Sequence, residues 1–210
     1  MKKIITALCI GFSLCFILSA YMDSTQAALS QGVVRLHVVA NSDSEADQKL
    51  KLKVRDRILS ECGAILGEGQ SVDAVSADIC NNMDYIKQIA QDEIEKNGYE
   101  YDVSVDFGTG DFPRKEYGNI TLPEGEYQAL KVNIGDASGK NWWCVLFPPL
   151  CFVDEACVSV SDDSQQILRQ QLGDSVYNMV TDDGNIEFRL KTYELWQKGK
   201  IMLTNYFANN

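Results

Sequence analysis

The chain has 210 residues, is 45% hydrophobic and 23% charged, and carries a formal net charge of −11. So acidic a balance disfavours nonspecific binding to nucleic acid or to an anionic membrane surface, and no basic stripe interleaved with aromatics offsets it. The length suffices for one well-packed domain, and no low-complexity linker or internal repeat divides it.

The first element is an export signal by pattern. Met1-Lys2-Lys3 is a basic start, and an apolar run of about 17 residues follows from Ile4 to about Ala20. Small residues in "STQAAL" place a cleavage site after Ala27, with Thr25 a poor substitute for the alanine usual there. The run is also at the lower limit for spanning a bilayer, so an uncleaved anchor is the other reading. In either case the lysines stay cytoplasmic and the body of the chain faces outward. The expected organisation is residues 1–27 as signal or anchor and 28–210 as a single exported domain. Membrane contact is expected only through an uncleaved N-terminal segment.

"GVVRLHVVANSD" (32–43) begins as a strand, with Val33, Val34, Leu36, Val38 and Val39 ending at the turn formers Asn41-Ser42-Asp43. A long helix follows. Ser44 with Asp47, and Ser42 with Glu45, fit the capping pattern, and acids precede bases as the helix macrodipole favours. Ala46, Leu50, Val54 and Ile58 make its expected buried stripe. After a glycine-rich break, Ser71 caps a second helix over 71–97. Its apolar positions are Val72, Val75, Ile79, Met83, Ile86, Ala90 and Ile94, and Gly98 stands at its C-terminus.

The period then switches to two. Tyr99, Tyr101, Val103, Val105 and Phe107 share one face of a strand. Two further strands are expected at about 125–135 and 141–147, joined as a hairpin by "DASGK". "DDSQQILRQQLGDSVYNMV" reads as a short helix, and "IEFRLKTYELWQKG" as either strand or helix. The fold class is α+β: a mostly antiparallel sheet with two long helices packed on one face.

Chemistry is sparse. His37 is the only histidine, on the strand face opposite Leu36 and Val38. A thiol becomes a nucleophile beside a base or a positive field, whereas Trp143, Val145 and Leu146 around Cys144 predict burial and a raised pKa. An exported thiol hydrolase using Cys144 and His37 is therefore the alternative reading, and no catalytic residue is assigned. One histidine and no C-x-x-C pair do not make a usual zinc site. "NSDSEAD" lacks the glycine and terminal glutamate of a calcium loop and reads as a helix N-terminus. No metal or cofactor is expected, and "GEG" (67–69) and "GTGD" (108–111) read as turns.

Beyond residue 27 lie Cys62, Cys80, Cys144, Cys151 and Cys157, an odd number, so at least one thiol is free or pairs between chains. A Cys144–Cys151 disulfide, a Cys151–Cys157 disulfide and a fully reduced set all remain open. Trp142-Trp143 and Phe147-Pro148-Pro149-Leu150 join rigid apolar surface to a stiff corner, and tryptophan is enriched at binding hot spots. Adjacent strand residues face opposite sides, so one tryptophan can fill the core while the other reaches the surface.

Three stretches carry a resemblance: "VVRLHVVANSDSEADQKLKLKVRDRIL" (33–59), "YGNITLPEGEYQALKVNIG" (117–135) and "GKNWWCVLFPPLCFVD" (139–154). Together they resemble the stage II sporulation protein R family of endospore-forming bacteria, over about residues 32–154. The resemblance implies a secreted, non-catalytic signalling protein, made in the forespore and exported to the space between the forespore and mother-cell membranes. There the family triggers a membrane-embedded aspartic protease, stage II sporulation protein GA, which removes the pro-segment of sigma factor E. On that basis the receptor is expected to meet two surfaces. One is the strand end His37, Asn41, Ser42 and Asp43; the other is the corner Trp142, Trp143, Pro148 and Pro149.

Overall fold

The computed structural model describes residues 2–65, 71–151 and 160–181, together with Gly199. Five helices and six strands follow one another among the described residues. Helix α1 (Lys2–Gly32) is unbroken through the apolar run. Ile5, Ile10, Phe12 and Phe16 in its first half face solvent, Phe12 at 77% exposure, whereas Thr25 and Leu29 near its end are buried. Among the described residues no helix is long and apolar enough to cross a membrane.

The sheet has the order β2-β5-β1-β6. Strand β1 (Val34–Val39) is an interior strand, and all its residues but His37 are buried. It pairs in parallel with β5 (Gly125–Ile134) and antiparallel with β6 (Asn141–Phe147). Strand β2 (Val103–Phe112) pairs antiparallel with β5. A small antiparallel hairpin, β3 (Lys115–Tyr117) and β4 (Ile120–Leu122), turns through Gly118 at a positive φ of 56°.

This topology corrects one expectation. The strands at 125–134 and 141–147 exist, but they do not form a hairpin: β1 lies between them. The connection 135–140 must therefore reach across two strand spacings, roughly 10 Å, and six residues do this easily. "GTGD" is also no turn but part of β2, which runs on to Phe112, while Tyr99 and Tyr101 precede the strand. "GEG" falls outside the described residues.

Helix α2 (Glu45–Ile65) starts where the capping pattern placed it: the Asp47 amide donates to Ser44 Oγ at 3.1 Å. Leu50, Val54 and Ile58 are buried as expected, but Ala46 is exposed. It lines an open groove of about 630 Å³ between α2 and Tyr99, and the buried stripe turns instead through Asp47 and Lys51. The expected helix over 71–97 is two, α3 (Val72–Asn81) and α4 (Met83–Lys96), broken at Asn82. The Asn82 amide Nδ2 donates to the Asp78 carbonyl at 2.7 Å, the competition with the helix ladder that makes asparagine a poor interior residue. Gly98, at φ 81°, closes α4 in the left-handed conformation, with its N–H donating to the Glu95 carbonyl.

These helices share one face of the sheet. Arg55 of α2 lies over Trp142, and Ser76 of α3 donates to Gln128 Oε1, side chains of the face that also carries Leu36, Val38 and Val132. Helix α5 (Asp162–Thr181), kinked at Gly173 (φ 73°), packs against the end of α1 and against β4. The sequence from 182 on, with its strand-or-helix reading, lies outside the described residues apart from Gly199, as does Cys157.

Candidate functional site

The opposite face of the sheet carries Arg35 and His37 from β1, Tyr127 from β5, Phe112 from β2 and Trp143 from β6. His37 sits directly across from Trp143 in the antiparallel register. The two rings stack with centroids 3.6 Å apart and 18° between planes, and Phe112 meets Trp143 edge-on at 4.7 Å. His37 Nε2 lies 2.7 Å from Asn141 Oδ1. Partial burial lowers the imidazole pKa below its usual value. The Asn141 contact works against that shift and the Lys131 ammonium adds to it. His37 is half-buried beside the half-buried Trp143, with the Asn141 amide oxygen facing its Nε2.

Below this pair lies a group the sequence did not single out. Arg35 is fully buried, its guanidinium 4.2 Å from the Phe112 ring centroid and 4.9 Å from that of Tyr127. Its Nη2 donates to the Tyr117 hydroxyl at 2.9 Å, which ties hairpin β3–β4 to the sheet. Burial raises the Tyr117 pKa and the neighbouring guanidinium partly offsets this. An arginine inside an apolar strand was the only available signal. Its role is to brace the aromatic cluster through cation–π contact.

Asn41, Ser42 and Asp43 do a different job. The Asn41 amide donates to Asp47 Oδ2 at 3.0 Å, and its Oδ1 accepts from the Asp136 amide at 3.0 Å. Ser42 Oγ donates to the same Asp47 oxygen at 2.5 Å, and Asp43 Oδ1 accepts from the Lys140 amide at 2.7 Å. Ser138 donates twice to the Asn41 carbonyl, and Lys51 Nζ donates to the Lys140 carbonyl. These bonds clasp the β1–α2 turn onto the β5–β6 connection. The Ser42 hydroxyl, followed by the other donors, holds the Asp47 carboxyl below its usual pKa. A Cβ on Gly135 or Gly139 would collide with Asn41 or with the Ser42 backbone, so both glycines permit the close approach.

The candidate corner is split by the fold. Trp142 and Trp143 face opposite sides: Trp142 lies under Arg55 at 4.1 Å and Trp143 beside His37. Pro148, buried, and Pro149, exposed, follow β6 at the end where β1 begins, away from Asn41–Asp43 where β1 ends. Phe147–Pro148 is a cis peptide. Cys144 and Cys151 are bridged with Cα atoms 5.3 Å apart. Cys144 pairs with Leu36 in the register, so it faces away from His37 across the sheet. A bridged sulfur on the other face supplies no thiolate for that imidazole. Cys62 is buried, with its thiol pushed up to about 12, and Cys80 is an exposed free thiol.

A sequence model of the family described as stage II sporulation protein R matches residues 30–157. The stage II sporulation protein R of Bacillus subtilis (strain 168) is 44% identical over 132 residues, which cover 63% of this chain and 59% of that relative. No solved structure matches.

Proposed function

The chain belongs to the stage II sporulation protein R family, and from that premise we propose that it is a secreted, non-catalytic signal of sporulation. Its receptor is the membrane-embedded aspartic protease stage II sporulation protein GA, reached in the space between the forespore and mother-cell membranes. Binding there leads to processing of the sigma factor E precursor. The observation that carries the reading against the hydrolase alternative is the placement of His37 and Cys144 on opposite faces, with Cys144 bridged to Cys151. The stacked His37–Trp143 pair beside Asn141 instead has the character of a recognition surface: rigid aromatic area edged by polar groups.

A ligand activates by binding the active arrangement of its receptor more tightly than the inactive one. An aspartic dyad needs two carboxylates brought together, so a ligand that favours the assembled protease suffices, with no chemical step of its own. Of the residues expected to contact the receptor, His37 and Trp143 form the candidate centre. Asn41, Ser42 and Asp43 hold the neighbouring loop in shape, and Trp142, Pro148 and Pro149 lie outside that centre.

The test is reconstitution in a host without sporulation machinery, with this exported chain, the protease and the sigma-factor precursor co-expressed and cleavage followed by immunoblot. Cleavage that requires this chain and survives Cys144→Ser in a folded protein is the expected result. No cleavage with all three correctly localised would remove the signalling assignment.

A further inference from the structure

Helix α1 has two unlike halves. In the first, Ile5, Ile10, Phe12, Leu14, Phe16, Ile17 and Tyr21 are 53% to 77% exposed, and the sequence from Ile4 to Met22 holds no charge. At about 100° per residue, Ile5, Phe12 and Phe16 fall on one side, and Ile10, Leu14, Ile17 and Tyr21 on the other. A helix apolar on opposite sides cannot satisfy itself against one protein core; lipid hydrocarbon, which surrounds it, can.

The second half is built into the domain. Thr25 and Leu29 are buried, and Gln26 Nε2 donates to the Glu126 carbonyl at 2.8 Å while its side chain fills the space beside Gly125. Gly32 lies against the Leu172 side chain so closely that a Cβ would collide. Only Val33, itself fully buried, separates α1 from β1. No loop interrupts the path from apolar stretch to central strand.

We propose that α1, where it is retained, is a lipid-embedded anchor that fixes the orientation of the domain. Its partner is the hydrocarbon of a bilayer. The docked turns sit where β1 and β5 begin, so that end, with Asp111 and Pro149, lies beside the membrane. The far end, Asn41–Asp43 clasped to the 135–140 connection, stands one strand length further out, about 20 Å for the six residues of β1. For the receptor, which rests on the reading above, this makes the clasp end the distal surface.

The test uses the full chain in phosphatidylcholine–phosphatidylethanolamine vesicles, with a fluorescent amino acid replacing Asp111 or Asp136 and spin-labelled lipids as quencher. The expected result is co-flotation with vesicles and at least twofold stronger quenching at position 111 than at 136. Equal quenching, quenching reversed between the positions, or no flotation would overturn the proposal. Gly32→Phe, which wedges the docked end, is expected to abolish the difference while flotation persists; a difference that survives in the folded variant would overturn the rigid junction. The protease is absent throughout, so this outcome and that of the reconstitution are independent.

Discussion

The His37 imidazole lies between the Trp143 ring and the Asn141 amide, partly removed from water, and its pKa is lowered mainly by that burial. The unfolded chain, with a value near 6.5, then binds a proton before the folded chain does. Stability should therefore be unaffected above about pH 7 and fall as pH drops from about 6.5 through the lowered folded value. Urea midpoints measured across that range should show the fall in the wild type and a shallower one in His37→Gln. Asp47 shifts in the same direction by a different cause, since hydrogen bonds favour its charged form. Its contribution is present above the ordinary carboxylate value and is lost as pH falls through the lowered one. Asp47→Ala leaves Asn41 and Ser42 without their acceptor and should cost about 2–3 kcal/mol in chemical denaturation. Cys144→Ser opens a loop of about eight residues, for a loss of about 2.5 kcal/mol on the chain-entropy account, with signalling retained in the protein that remains folded.

At the scale of elements, the clasp between the β1–α2 turn and the 135–140 connection is what lets β1 sit between β5 and β6. Gly139 has the Ser42 backbone within collision range of a Cβ, and backbone cannot rotate aside as a side chain can. Gly139→Ala should lower stability by about 1–3 kcal/mol, measured by thermal or urea unfolding, and expose the connection to proteolysis. The break at Asn82 divides the second helix into two, with Val75 and Ile79 buried from one and Ile86, Ala90 and Ile94 from the other.

For the molecule as a whole, helices cover one face of the sheet. The other face, through Arg35 and the Phe112 ring, braces a histidine–tryptophan pair near its open half. If that pair meets the receptor, Trp143→Leu should raise the concentration of signal needed for half-maximal precursor cleavage at least tenfold, within the hot-spot range. Pro149→Ala, at the opposite end of β6, should leave it within about twofold. Circular dichroism of both variants separates lost contact from lost fold. Asn41→Ala is a poor probe of the receptor, because the side chain supports the clasp and its loss disturbs the neighbouring surface indirectly.

Most of the elements were legible in the sequence, because local patterns specify them. The Ser44 cap, the apolar spacing of Leu50, Val54 and Ile58, Gly98 at a helix end and the alternation through Val103, Val105 and Phe107 act within a few residues of themselves. The two long motifs around His37 and Cys144 were also enough to suggest the family, which the comparisons bear out. Tertiary structure alone decided which strands are neighbours, because β1 inserts between two strands that composition joined as a hairpin. It also set the register that puts His37 on Trp143 and turns Cys144 away, since a shift of one residue reverses every side chain and no local signal fixes that choice. Asn41, Ser42 and Asp43 read in the sequence as turn formers at a strand end. Their partners at 47, 136 and 140 include positions about a hundred residues away, and long-range pairing of that kind arises only when the sheet assembles.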